Sequence, residues 1–139
     1  MQPTLVTSRY ADFSRARPAL GGQILTPVRI SVGLPKFAPQ AAAWPRCSLL
    51  VPWNLLGITD WNQFETEYRR RLDKHGPETI AESLTAIWRQ HGENPLALCC
   101  FEPAGEFCHR RIFAAWWLEQ TGQAIDELEP AIEPAPRLF

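Results

Sequence analysis

The fold class is decided by residues 95–101, Pro-Leu-Ala-Leu-Cys-Cys-Phe, which are apolar throughout. A strand with one face in water alternates apolar and polar residues, whereas a short unbroken apolar run is typical of a strand covered on both faces. Further along the chain, Ile112, Phe113, Trp116 and Trp117 recur at helical spacing before Gly122. The pattern therefore predicts a buried strand, a loop over residues 102–107, and a helix that begins at Cys108 and ends at Gly122.

Two more strands are predicted nearer the amino end. The first contains Leu-Val-Thr at residues 5–7, and the second is Val-Arg-Ile-Ser-Val at residues 28–32, where β-branched and polar residues alternate. Residues 34–57 are rich in proline and show no period, so we expect a long ordered loop there. Within that loop, residues 49–51 could form either a short strand or a short segment buried in the core.

Two helices are predicted between the loop and the buried strand. Asp60 and Gln63 have the spacing of a capping box, and the apolar residues behind them recur at intervals of three and four, which predicts a helix over residues 60–74. Gly76 suits its left-handed carboxyl cap, and Pro77 suits the first position of a second helix that ends near Gly92.

These elements predict an α/β fold, a compact single domain with a small, mostly parallel sheet flanked by helices. A chain of 139 residues is too short for two ordinary domains. We expect the domain to occupy residues 1–128, with residues 129–139 as a proline-rich acidic tail. Residues 126–139 as a whole have a composition that cannot continue a helix.

The composition excludes some classes of function. Lys and Arg number 14 against 15 Asp and Glu, so the net charge of -1 does not support nucleic-acid binding, although a local basic patch stays possible. The apolar runs are too short to span a bilayer, and the amino end lacks the pattern of a secretory signal. We therefore expect a cytoplasmic protein without membrane contact, whose four cysteines are reduced.

The residues most able to carry chemistry surround the loop before the last helix. Cys100, Glu102, Cys108 and His109 are the candidate catalytic residues. A helix amino end lowers the pKa of a cysteine placed on it, and His109 or Glu102 could move a proton. The sequence thus predicts that Cys108 is the most reactive thiol, with a lowered pKa, while Cys47 and Cys99 are most simply buried apolar residues.

Candidate substrate-binding residues lie at or near the predicted strands and at the start of the last helix. Ser8, Arg9 and Tyr10 follow the first, and Arg29 lies in the second, while Arg110 and Arg111 open the last helix. Open α/β sheets bind ligands at the carboxyl ends of their strands, and arginine matches phosphate or carboxylate oxygens. We expect Arg9, Arg29 and Arg110 to converge on one anion, so a small anionic ligand or a nucleotide is the expected partner.

Four short motifs resemble the DUF488 family of bacterial and phage proteins. They are Thr-Ser-Arg-Tyr-Ala at residues 7–11, Val-Arg-Ile-Ser at residues 28–31, Cys-x-Glu at residues 100–102 and Cys-His-Arg at residues 108–110. The resemblance runs roughly from Thr4 to Leu128 and implies a compact α/β fold with a cleft lined by these residues, without an established reaction. The chain departs from the usual pattern in its doubled cysteine at residues 99–100 and in its segment 35–53.

Three hypotheses of function remain open on the sequence alone. The first is an enzyme for a phosphate-bearing, nucleotide or nucleic-acid substrate, and the second is a non-catalytic module that binds a small anion. The third is a small metal protein, but Cys99 and Cys100 are adjacent on a strand and point to opposite faces, and the paired spacings of zinc motifs are absent, so we expect no bound metal. No cofactor and no oligomeric state follow from the sequence.

Overall fold

A parallel sheet forms the centre of the computed structural model, which describes residues 2–11, 13, 24–37, 39–101 and 108–128. In this part of the chain the sheet has four strands in the order β2-β3-β1-β4. The strands are β1 (Leu5–Arg9), β2 (Thr26–Arg29), β3 (Leu96–Cys100) and β4 (Asp126–Glu127). The predicted α/β class with a parallel sheet is confirmed.

The central strand is β3, as its sequence indicates. All five of its residues are buried, and it pairs with β1 on one side and β2 on the other. Arg9 is in register with Cys100, and Arg29 with Cys99. Since residues in register on parallel strands share a face of the sheet, Arg9 and Cys100 share one face and Arg29 and Cys99 the other.

Three helices with predicted positions are present: α1 (Trp61–His75), α2 (Pro77–Gln90) and α3 (His109–Thr121). The Asp60 carboxylate accepts the Gln63 backbone N–H at 3.1 Å and caps α1. Gly122 ends α3 in the left-handed conformation with φ 79°. Gly76 also has positive φ, but its ψ of 151° is extended, so it starts α2 directly instead of forming the predicted left-handed cap.

The two faces of the sheet are covered differently. The three helices pack on the face that carries Val28, Leu98 and Cys100. The other face carries Ala97 and Cys99 and is covered by Tyr10, Phe13, Trp44 and a short 3-10 helix, Pro39–Ala43. Both faces of β3 are therefore shielded from solvent, in agreement with its unbroken apolar sequence.

The structure corrects three sequence-based boundaries. The second strand covers Thr26–Arg29 rather than residues 28–32, because the chain bends at residues 31–33. Residues 48–50 form a 3-10 turn in which Leu50 is buried, so this segment contributes to the core but is not a strand. Asp126–Glu127 is an edge strand rather than the start of a tail. The predicted tail, residues 129–139, lies outside the described residues.

The helices of the described residues are all too short or too polar to cross a membrane.

Candidate functional site

The candidate site lies at the edge of the sheet where the parallel strands end. Arg9, Cys100 and Glu127 are the last residues of β1, β3 and β4. Helix α3 begins at the same edge, with Cys108 at its amino-cap position in extended conformation. Strand ends and one helix start thus meet at the carboxyl edge, which is where open α/β sheets bind ligands when they have one.

Two cysteines and a histidine form a buried cluster at this edge. The thiol sulfurs of Cys100 and Cys108 and a ring nitrogen of His109 lie within 4.8 Å of one another. Arg110 Nη1 donates to both sulfurs, at 2.9 Å to Cys100 and 3.0 Å to Cys108. The cluster therefore brings together three of the four predicted catalytic residues. The fourth, Glu102, lies outside the described residues.

Arg110 is fully buried, and a carboxylate holds the rest of its guanidinium. Its Nε donates to Glu127 at 3.0 Å and its Nη2 at 2.8 Å, a two-point contact. The Thr7 hydroxyl also donates to Glu127, at 2.6 Å, and Arg111 donates to Thr7 Oγ1 at 2.8 Å. Arg110 is thus a link between Glu127 and the two sulfurs rather than an exposed anion-binding group.

The charge states of this cluster follow from burial and from its partners. Burial raises the pKa of the Cys108 thiol, and the neighbouring Cys100 raises it further, whereas the hydrogen bond with His109 lowers it. The predicted lowering of this pKa is therefore wrong, because only 2% of Cys108 is exposed and desolvation outweighs the helix end. Burial disfavours the charged form of Arg110, but Glu127 and the sulfurs raise its pKa overall, so it stays protonated.

His109 is oriented by a backbone carbonyl. Its Nε2 lies 2.6 Å from the carbonyl oxygen of Ile30, and because a carbonyl only accepts, Nε2 carries hydrogen. In the neutral ring, Nδ1 then has a lone pair that can accept the thiol proton of Cys108. The ring also packs against Tyr68 in an edge contact at 5.6 Å. This histidine is held in one tautomer beside a thiol.

Cys108 and His109 line a cleft of about 220 Å³. Its walls are mostly apolar and aromatic, and they are formed by Ser31, Val32, Gly33, Pro52, Leu56, Ile58, Trp61, Phe64 and Phe101. Trp61 and Phe64 stack with ring centroids 5.3 Å apart. A second cleft of about 240 Å³ shares Trp61 and Cys108 with the first and also contains Arg69 and Arg111. Cys108 therefore lies between two openings.

The structure separates several predicted binding residues from this cluster. Strand β3 lies between β1 and β2, so Arg9 and Arg29 do not end neighbouring strands. Arg29 lies on the opposite face from Cys100, where its Nε donates to the Trp44 carbonyl at 3.1 Å. The expected convergence of Arg9, Arg29 and Arg110 on one anion is wrong for this reason and because Arg110 is buried.

Ser8 and Tyr10 also belong to the face opposite Cys100. Ser8 is in register with Cys99, and its hydroxyl donates to the Arg9 carbonyl. The Tyr10 hydroxyl lies 2.7 Å from Ser31 Oγ, which itself donates to the Gly33 carbonyl. Burial raises the pKa of Tyr10 to about 12. Tyr10 does not line the cleft but contacts two of its lining residues, Ser31 and Phe101. Arg9, in register with Cys100, shares the face of the thiol cluster.

A comparison with protein families identifies the family of the chain. The family model described as the Active DUF488-N3 subclade matches residues 20–122, well over half of the chain. The chain belongs to the DUF488 family. The resemblance carried by the short sequence motifs is thereby confirmed. No curated protein and no solved structure has significant similarity to this DUF488 protein.

The matched residues of the DUF488 protein include the thiol cluster but not its partners on β1 and β4. Thr7 and Glu127 lie outside the match, and sequence reasoning missed both as site residues. Glu127 stands in a segment whose composition is typical of a tail. The one available signal is that a buried arginine needs a carboxylate partner, and only the pairing of β4 with β1 identifies which carboxylate it is.

Proposed function

We propose that this DUF488 protein is an enzyme that uses Cys108 as a nucleophile on an anionic substrate, with a nucleotide as the class that fits the cleft best. The observation that carries the proposal is that Cys108 and His109 together line a cleft with a largely apolar lining that includes three aromatic rings. A thiol beside an oriented base at the carboxyl edge of a parallel sheet is the arrangement that nucleophilic catalysis requires.

The raised pKa of Cys108 assigns a role to His109. A thiol that stays protonated in the resting site needs a proton acceptor when it attacks, and His109 is hydrogen-bonded to it. The Ile30 carbonyl keeps Nε2 protonated, so the proton moves from Cys108 Sγ to Nδ1. Arg110, at 3.0 Å from the same sulfur, stabilises the thiolate that forms.

The lining of the cleft supports a substrate with a flat apolar part. Trp61, Phe64 and Phe101 present aromatic surface, which suits a nucleobase by stacking. Among the described lining residues none is lysine or arginine, so the anionic part is assigned to the amino end of α3, where backbone N–H groups and the helix dipole attract negative charge.

The test uses an adenosine that carries a chloroacetamide in place of its 5′-phosphate. If the base stacks in the cleft, the electrophile is held beside Cys108, and the thioether should form about tenfold faster or more than with free chloroacetamide. Adenosine monophosphate should protect the thiol. Intact-mass measurement and peptide mapping locate the adduct, and His109→Gln should slow its formation because the proton acceptor is lost.

Two controls make the outcome decisive. Cys47→Ala removes a buried thiol that lines neither cleft, and this variant should react as the wild type does. Equal rates with the nucleoside reagent and free chloroacetamide would contradict nucleotide binding. Protection by adenosine monophosphate combined with equal rates in wild type and His109→Gln would instead support the non-catalytic module.

A metal site is the second candidate, because the three atoms of Cys100, Cys108 and His109 lie within 4.8 Å of one another. Thiolate and imidazole are ligands that zinc prefers. The Arg110 guanidinium already donates to both sulfurs, and a cation would have to lie beside this positive charge. We expect well below one equivalent of zinc in protein purified without added metal. Thiolate charge-transfer absorption on adding Co²⁺, lost in Cys100→Ala, would favour the metal protein instead.

A further inference from the structure

We infer that Cys100 and Cys108 are a reversible dithiol–disulfide pair that a hydroperoxide oxidises. The two cysteines belong to the proposed nucleophilic site, but the formation of a disulfide between them needs no substrate of that site. The inference therefore goes beyond the proposed function and is tested without it.

Proximity is the first support. The two sulfurs lie within 4.8 Å of each other and share the Nη1 donor of Arg110. A disulfide needs a sulfur separation of about 2.05 Å, so the sulfurs must approach one another further. Cys108 precedes α3 in extended backbone, with φ -152° and ψ 138°, and its side chain makes no capping bond that this approach would break.

The other two thiols are placed differently. Cys99 lies on the opposite face of the sheet, where its thiol donates to the Ala97 carbonyl. Cys47 lies beside Ser83 Oγ at 3.6 Å and lines neither cleft at Cys108. Of the four buried cysteines, Cys100 and Cys108 thus form the pair with both proximity and a shared cationic donor.

Access and charge give the order of events. Cys108 lines both clefts, whereas Cys100 lines neither, so a small hydroperoxide reaches Cys108 first. Arg110 favours the thiolate form that reacts with peroxides, because its Nη1 donates to the sulfur. Cys100, whose sulfur lies within 4.8 Å, is then the resolving thiol, as in other redox-active cysteine pairs.

The chemistry balances in two steps. In the first, His109 accepts the Cys108 proton and Sγ attacks the hydroperoxide. The S–O bond forms as the O–O bond breaks, and the leaving oxygen takes the proton from His109 and departs as the alcohol. In the second, Cys100 Sγ attacks the sulfenic sulfur, the S–S bond forms as the S–O bond breaks, and the hydroxide leaves as water with the Cys100 proton. Two electrons pass from the thiol pair to the hydroperoxide, and a dithiol reductant restores the thiols.

The experiment oxidises reduced, full-length protein with hydrogen peroxide and counts free thiols in denaturant. We expect two of the four thiols to disappear and to return with dithiothreitol. Cleavage after Glu106 separates Cys100 from Cys108, so the disulfide appears as two linked peptides whose mass is lower by two hydrogens. Cys99 and Cys100 lie in the same peptide, so the mass of the linked peptides does not say which of them is bonded. The variant Cys99→Ser removes this ambiguity and should form the same link through Cys100.

Single variants test the assigned roles. In Cys100→Ser the sulfenic acid on Cys108 has no resolving thiol, so it should be trapped by dimedone, and in Cys108→Ser the thiol of Cys100 should survive the treatment. If Cys100→Ser is unstable, Cys100→Ala replaces it in the same dimedone experiment, and a melting curve checks that this variant is folded. Loss of the link in Cys99→Ser, a link through Cys47, or irreversible oxidation of Cys108 in the wild type would overturn the inference. The result is independent of nucleoside labelling, so the two proposals can fail separately.

Discussion

The substitution Glu127→Gln tests whether the β4 carboxylate supports the buried guanidinium of Arg110. Arg110 has 0% of its side chain exposed and Glu127 has 15%, and Nε and Nη2 donate to this carboxylate at 3.0 and 2.8 Å. Removing one partner of a buried ion pair costs about 3–5 kcal/mol because the other charge is left unpaired. Glutamine keeps an acceptor oxygen for Thr7 and Glu127 has some contact with water, so we expect the low end, about 3 kcal/mol.

Urea unfolding followed by tryptophan fluorescence measures this cost. With a slope of about 2 kcal/mol per molar urea, the midpoint should fall by about 1.5 M. The matched control is Glu119→Gln, which breaks the surface pair of Glu119 with Arg69, whose atoms are 3.1 Å apart while the Glu119 side chain is 56% exposed. That change should cost about 0.2–1 kcal/mol.

A double variant identifies the cause of the loss. Arg110→Met combined with Glu127→Gln removes both charges, so its cost should be less than the sum of the two single costs. A Glu127→Gln cost no larger than that of Glu119→Gln, or strict additivity in the cycle, would refute the claim that Glu127 balances a buried charge.

Three further outcomes are expected. Asp60→Ala should lower the free energy of unfolding by about 1 kcal/mol in urea titrations, because the Gln63 N–H loses its acceptor; no loss would contradict the capping role. Gly122→Ala should cost about 1–2 kcal/mol through its positive φ alone, since nothing lies within 4 Å of the added Cβ; an unchanged midpoint would argue against this conformation. Burial holds the pKa of Tyr10 near 12 and that of Tyr68 well above its usual value, so stability should fall as pH rises from about 10 towards 12, where the unfolded chain releases these protons first. Reversible phenolate absorbance near pH 10 in folded protein would contradict this burial.

The parts of the fold that could be predicted have local causes. Residues 95–101, the Asp60 cap and Gly122 each act within a few positions of the chain, and each is confirmed. Strand β4 could not be predicted, because two residues carry no periodic pattern and pair with β1 from more than 100 positions away. The position of β3 between β1 and β2 is likewise a property of the sheet and has no signal in either strand.

The same division applies to the candidate site. The grouping of Cys100 with Cys108 and His109 follows from a strand, a loop and a helix start in sequence order. The placement of Arg29 depends on register, and a shift of one residue moves a side chain to the other face of a sheet. The pKa of Cys108 depends on burial, which the helix start alone does not reveal.

Charge balance around Glu127 links the fold to its chemistry. Among the described residues, the guanidiniums of Arg110 and Arg111 both face this single carboxylate, at 2.8 and 3.8 Å. Glu127 is thus shared by two guanidiniums, and Arg110 also directs its Nη1 at the sulfurs of Cys100 and Cys108. A negative charge that forms there, on a thiolate or on a bound anion, is stabilised without further rearrangement. Because β4 supplies the carboxylate that keeps Arg110 in place, pairing of the sheet edge and the hydrogen bonds from Arg110 to both thiols depend on the same residue.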